Sequence, residues 1–311
     1  MSDLDRPPGR GDVSQPPEEA ARLDHAGVRN SFDRASASYE AAAILQARVA
    51  DEVLERLDFF KLAPDVVVDL GAGTGRLTGE LKRRYRRASV IALDLAPGML
   101  REARRHSKLF RRFERVCGDV RQLPFADASV DIAVSNLMLQ WCGDLDAAFR
   151  EIRRVLKPDG LVIFTTFGPD TLRELRAAWA TVDEYSHVNT FIDMHDIGDA
   201  LVRAGLTEPV LDVERVTLTY QNVLSLMRDL KIIGAHNVTE GRARGLTGRG
   251  ALRQVEAAYE SSRRDDVLPA TYEVVYGTAW GSAGKRGSPV MDGEVHVPVS
   301  AIRRRGGPAQ S

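Results

Sequence analysis

An α/β fold with a seven-stranded, mostly parallel sheet and helices on both faces is what this 311-residue chain predicts. Three observations carry the expectation. Short runs rich in Val, Ile and Leu alternate with amphipathic stretches from Val66 to Thr166, the rhythm of βαβ units packed on both sheet faces. The first run, Val66 to Leu70, enters the turn Gly71-Ala72-Gly73-Thr74-Gly75 and passes at once into a helical stretch. Glycines there permit a tight turn and close approach of a ligand to the backbone. Two later runs, 210–220 and 271–280, supply strands that complete the sheet.

Residues 1–30 read as a flexible lead, with Pro7-Pro8-Gly9 and Pro16-Pro17-Glu18-Glu19 and no apolar period. From Arg34 to Asp58 the pattern is helical, with Leu45, Val49, Val53 and Leu57 four apart on one face. Such an arm could cover the open end of a pocket. Strands are predicted at 66–70, 89–93, 113–117, 130–135 and 161–166, separated by helices at 76–86, 97–107 and 145–155. Beyond Phe167, helices are expected at 171–182, 195–204, 222–234 and 251–261, with Gly205 ending the second. The 183–193 stretch has too little periodicity to assign. The domain therefore spans 31–281, with helical lid insertions around 170–204 and 221–261. The polar tail, 282–311, could add an edge strand at 294–299.

Hydrophobic residues make up 43% of the chain, enough for a sizeable core, and the formal charge is −1, which argues against a nucleic-acid binder. Cys117 and Cys142 offer neither a disulfide framework nor a metal cluster, so no metal is expected. No apolar run reaches membrane-span length and no signal-peptide core is visible. A cytoplasmic protein, monomeric or weakly dimeric and with no membrane partner, follows.

Acids recur at three strand ends: Asp69, Asp94 and Asp119, 25 residues apart at each step. One βα unit per step should bring them to one crevice beyond the carboxyl ends of the strands. Asp94 is placed to accept from two ribose hydroxyls, and Asp119 from an adenine amino group beside Val120. Leu95 and Met99 would cover the other face of the ring or belong to the core. The glycine pattern alone fits NAD or FAD equally well. Asp69 separates the readings: an acid ahead of Gly71, Gly73 and Gly75 repels a pyrophosphate but suits the ammonium of S-adenosylmethionine.

These residues carry a family signature. The chain resembles the class I S-adenosylmethionine-dependent methyltransferases, with their Rossmann-like sheet, through Asp69-Leu-Gly-Ala-Gly-Thr-Gly75, Leu93-Asp94, Gly118-Asp119-Val120 and Leu156-Lys-Pro-Asp-Gly160. Within that superfamily it is similar to the malonyl-[acyl-carrier-protein] O-methyltransferases of biotin synthesis. The similarity runs from about Phe32 to Trp280, most specifically through Gln140-Trp141-Cys142-Gly143 and the stretch from Lys231 to Asn237. Phe167-Gly-Pro-Asp-Thr-Leu172 and Pro269-Ala-Thr-Tyr272 are shared with mitochondrial complex I assembly factors, linked to arginine hydroxylation, which leaves that alternative open.

The first resemblance implies methyl transfer to the free carboxylate of a malonyl thioester, on acyl carrier protein or on coenzyme A, with S-adenosylhomocysteine as the other product. The nucleophile is already a carboxylate at neutral pH and needs no general base, in keeping with the lack of a convincing His–acid pair in the sequence. Gln140 and Trp141, after the fourth strand, would then face the methyl group or serve as loop packing, with Ser135 and Asn136 on the methionine or sulfonium side. Tyr39 could close over the cofactor or serve as a packing ring. His236 could donate to the malonyl carbonyl or cap a helix, while Arg228 and Arg242 are candidates for charge pairing or simply surface residues. An acidic carrier would be steered by a basic face, and the Arg242, Arg244 and Arg249 loop is preferred over the groups at 82–87, 101–105 and 111–112.

Overall fold

The computed structural model describes residues 24–108, 111–183, 187–233 and 248–281. Its seven strands are β1 (Val66–Leu70), β2 (Ser89–Asp94), β3 (Glu114–Cys117), β4 (Val130–Asn136), β5 (Leu156–Phe167), β6 (Thr207–Tyr220) and β7 (Leu268–Trp280). They form one sheet in the order β3-β2-β1-β4-β5-β7-β6. β7 alone runs antiparallel to its neighbours, β5 and β6. The order reverses between β1 and β4, so the glycine turn after β1 opens at the switch point where ligands bind.

The helices are α1 (His25–Ala35), α2 (Tyr39–Ala42), α3 (Ile44–Arg56), α4 (Arg76–Arg84), α5 (Pro97–Glu102), α6 (Leu145–Val155), α7 (Arg173–Ala180), α8 (Met194–Arg203), α9 (Val223–Ile232) and α10 (Arg249–Glu260). Two buried clusters flank the sheet: Val67, Leu81, Val90 and Ile132 with α3 and α4 on one side, and Val68, Phe149, Ile152 and Phe164 with α6 on the other. Opposite faces of β1 feed opposite clusters, as the period of two requires.

The N-terminal arm departs from the sequence reading. It is three helices, not one, and it starts at His25, inside the stretch expected to be flexible. Asp24 caps α1 by accepting from Gly27 N at 2.9 Å. The break after Ala35 is a turn in which Ser38 N donates to Ala35 O and Ser36 Oγ to Asp33 O. β5 also begins five residues early, at Leu156, because the register against β4 jumps between Val130 and Ile132 and absorbs a bulge containing Asp159 at φ +56°. The candidate strand at 294–299 lies outside the described residues. Among those residues, no helix is long and apolar enough to cross a membrane.

Candidate active site

Strand β1 delivers Asp69 and the glycine turn to the switch point, and each glycine has its own physical reason. Gly73, at φ +55°, has no protein atom within 4 Å of where a Cβ would stand, and it borders the crevice. Gly71 also borders it, and its own Cβ would strike Met138. Gly75 does not border the crevice. Held at φ +80° as the N-cap of α4, it packs against Ala103 and Phe113, so its role is packing and turn geometry, not the expected cofactor contact.

Asp94 ends β2 beneath this turn. Its carboxylate accepts from Gly73 N at 2.8 Å and Ala96 N at 2.8 Å, binding the glycine turn to the start of α5. Burial pushes its pKa up to about 6, against the opposing pull of those backbone donors. Asp69 is 1% exposed and accepts from Thr78 Oγ1 at 2.5 Å; burial, with the Asp94 charge nearby, pushes it up to about 7. Two desolvated acids at the crevice suit a cationic nucleoside, and the apolar side chains of Leu95, Met99 and Val120 suit its base.

That opening consists of two joined cavities. The first, about 100 Å³, is bordered by Asp94, Leu95, Met99, Asp119, Val120 and Trp141, among others. The second, about 420 Å³, is bordered by Asp69, Arg76, Gln46 and His106. Tyr39, Gly71, Gly73 and Asn136 belong to both. The phenol of Tyr39 is pushed up by burial and by Asp94. The contacts expected of Asp94, Asp119 and Val120 would put adenosine in the first cavity, and that expected of Asp69 would put the methionine end in the second.

Two residues that sequence reasoning missed close the adenine end. Arg121 donates to Asp119 from Nε (3.0 Å) and Nη2 (2.6 Å), and from Nη1 to His25 Nε2 at 2.7 Å. The guanidinium holds Asp119 below the usual carboxylate range, while burial and Arg121 lower His25. Asp119 therefore reaches the crevice already gripped. Phe32 of α1 meets Trp141 edge-on at 5.4 Å, so the arm is latched over the cavity at both ends.

A third cavity of about 1040 Å³ lies beyond Trp141. Phe167, Leu175, Trp179, Phe191 and Met227 make it largely apolar, and two exposed cations, Arg34 and Lys231, stand on its wall. A His–acid pair, not anticipated from sequence, is also on this wall: His187 Nε2 lies 2.8 Å from Asp183 Oδ1, with its ring stacked on Trp179 at 3.7 Å. His187 does not border either smaller cavity.

Several expected contacts are corrected. Ser135 is fully buried within the sheet and borders none of the three cavities. Gln140 is absent from all three walls too; its Nε2 donates to Leu137 O at 2.7 Å and its Oε1 accepts from Thr166 at 3.2 Å. It braces the turn that carries Trp141. Arg228 is exposed and outside the cavity. The inward face of α9 is set by Val223, Leu226, Met227 and Leu230, and position 228 falls roughly 140° around the helix from Val223. His236, Arg242 and Arg244 lie outside the described residues.

Known proteins resemble this chain in fold and in sequence. A methyltransferase-domain family matches residues 68–164. Among solved structures, the fold is similar to a putative methyltransferase from Bacillus halodurans (17% identity, TM-score 0.55, covering 75% of this chain and 99% of that one). It is also similar to the YcgJ protein of Bacillus subtilis (16%, TM-score 0.52, with 75% and 99% covered). Much nearer in sequence are proteins named malonyl-[acyl-carrier protein] O-methyltransferase. One from Methylovorus sp. (strain MP688) is 58% identical over 268 residues, 84% of this chain and 90% of the relative. Another, from Halorhodospira halophila, is 50% identical over 291 residues, 93% and 99%.

The chain belongs to the malonyl-[acyl-carrier protein] O-methyltransferase family. It is an S-adenosylmethionine-dependent O-methyltransferase, with S-adenosylmethionine as methyl donor and S-adenosylhomocysteine as product. The acids at the ends of β1 and β2 border the two smaller cavities.

Proposed function

We propose that this chain methylates the free carboxylate of malonyl-[acyl-carrier protein], and of malonyl-CoA as a small surrogate, at an early step of biotin synthesis. The observation that carries the reading is the third cavity. It is large, mostly apolar, edged by Arg34 and Lys231, and joined to the donor crevice through Trp141. A thioester on a long flexible arm needs such a volume, and its terminal carboxylate needs donors at the inner end. The relatives' names supply the acyl group and carrier.

S-adenosylmethionine, when bound, supplies an electrophilic methyl carbon on a sulfonium. The chain's own residues do the rest. Asp94 and Asp69 hold the ribose and ammonium ends, and Asn136 is fixed between the cavities by donating to Gln46 O and accepting from Thr165, both at 3.0 Å. Trp141 and the apolar walls exclude water from a carboxylate that is a weak nucleophile while solvated. No proton moves, because the nucleophile is ionised well below neutral pH. Alignment and desolvation carry the rate.

Helices α7 and α9 cover this cavity, whereas α8, expected in the lid, packs with α6 in the other buried cluster; the cations on the cavity wall steer an acidic carrier. The two free thiols, Cys117 and Cys142, suit a reducing cytoplasm, and one chain builds the whole crevice, so a monomer suffices. Incubation with methyl-labelled donor tests the reading. Malonyl-carrier and malonyl-CoA should each acquire a base-labile methyl ester; donor binding without transfer to either thioester would sink it.

A further inference from the structure

The three cavities meet at very few residues. Asn136, with Tyr39, Gly71 and Gly73, is shared by the two donor cavities, Trp141 joins the adenosine cavity to the acyl cavity, and Gln46 joins the methionine cavity to the acyl cavity. Among the described residues, no other borders both the acyl cavity and a donor cavity. A methyl group leaving the sulfonium for an acceptor in the third cavity must pass between Trp141 and Gln46. Asn136 has both ends of its amide engaged. The side-chain amide of Gln46 and the indole N–H of Trp141 have no hydrogen-bond partner among the described residues, and the bond between Gln46 and Asn136 runs through the Gln46 backbone carbonyl.

We propose that Gln46, together with Trp141, forms a neutral two-donor clamp that positions the acceptor carboxylate for in-line attack. Resting on the malonyl reading above, this adds a residue to which no role has been attached. The Gln46 amide N–H donates to one carboxylate oxygen and the Trp141 indole to the same group from the adenosine side, leaving the second oxygen directed at the methyl carbon. The bond formed is oxygen to methyl, the bond broken is methyl to sulfur, and the electron pair stays on the sulfur of S-adenosylhomocysteine.

Neutral donors are the right chemistry at this point. A guanidinium gripping both oxygens would withdraw the electron density that must attack, and a carboxylate without donors would resist leaving water. Arg34 and Lys231 border only the acyl cavity and are exposed, placed to attract the substrate without quenching its nucleophile. Gln46 is well supported for the task. It sits in the first turn of α3, whose buried face (Leu45, Val49, Val53) is locked into the core, and its own carbonyl is tied to Asn136 of β4.

The experiment compares wild type with Gln46→Leu and Gln46→Glu, measuring donor affinity, malonyl-CoA affinity with S-adenosylhomocysteine bound, and steady-state kinetics. Loss of a hydrogen bond to a charged group is expected to cost Gln46→Leu on the order of 30-fold in malonyl-CoA affinity or kcat/KM, with donor affinity and melting temperature within about twofold and 2 °C of wild type. Gln46→Glu should be more impaired at pH 8, and its rate relative to wild type should recover as pH falls and the new carboxyl regains a proton to donate. A merely structural glutamine would not produce that pH signature. If wild type methylates malonyl thioesters and both variants match it, the clamp is refuted alone. The same holds if donor affinity falls by the full factor. If wild type binds donor yet leaves malonyl thioesters unmodified, the substrate reading falls and the clamp with it.

Discussion

At the scale of the residue, Asp94 shows how one side chain serves fold and site together. Its two carboxylate oxygens accept from Gly73 N and Ala96 N, yet each oxygen has a second lone pair and the residue borders the crevice. Asp94→Asn keeps the size but replaces one acceptor with a donor that faces a backbone N–H. Donor affinity should drop by roughly 10–100-fold, the range for hydrogen bonds to a charged group; unchanged affinity by calorimetry would remove Asp94 from the site. Trp141→Phe retains the ring contact with Phe32 while deleting the indole N–H, so kcat should fall about tenfold with donor affinity little altered. Residues such as Asp94 and Met99 were legible because strand ends and the glycine turn fix their place locally. Arg121, Phe32 and Gln46 were not, because each acquires its role from a partner far along the chain: His25 for Arg121, Trp141 for Phe32, Asn136 for Gln46. Arg228 was misplaced for a helical reason, since the buried face of α9 turns that position outward.

At the scale of the element, the strands bearing the site are the ones the sequence predicts best. β1 matches its expected 66–70 bounds, and β2 and β4 differ by one residue at one end. Central parallel strands are buried on both faces, so hydrophobicity starts and stops with them. β6 and β7 run longer than expected because they pair with each other through an antiparallel ladder, and the register from Thr207 to Tyr220 is set by the partner strand. The arm breaks where Ser36, Ser38 and Ala43 offer no strong sequence signal, so its three-helix form was invisible to periodicity. The glycine turn gives a prediction at this scale. Gly75→Ala forces a Cβ to 2.7 Å from Ala103 at φ +80° and should cost on the order of 3 kcal/mol of stability. Gly73→Ala meets no protein atom and should cost only about 1 kcal/mol through its left-handed backbone, while weakening donor binding by intruding on the crevice. Denaturant titrations paired with donor calorimetry should show these opposite profiles; matching losses in both would refute separate roles for the two glycines.

At the scale of the whole molecule, the acids of the donor crevice couple ligand binding to protons. Without a cation beside them, Asp69 and Asp94 are raised by burial to about 7 and about 6 from an ordinary 3.8. Between pH 4 and 7 the folded apo-protein therefore keeps protons that the unfolded chain has released, so this pair's contribution to stability is greatest at low pH and is lost as pH climbs through 6 to 7. Donor binding reverses the preference: an ammonium beside Asp69 and ribose hydroxyls donating to Asp94 favour the ionised carboxylates. Binding should thus release protons near pH 6.5, and affinity should strengthen from pH 5.5 to pH 8. The thermal shift produced by S-adenosylhomocysteine should grow over the same interval. Calorimetry at pH 6.5 in buffers of different ionisation enthalpy reads the proton count directly, and Asp94→Asn should reduce it. A buffer-independent enthalpy, or proton uptake, would show that these carboxylates are not the groups that receive the donor.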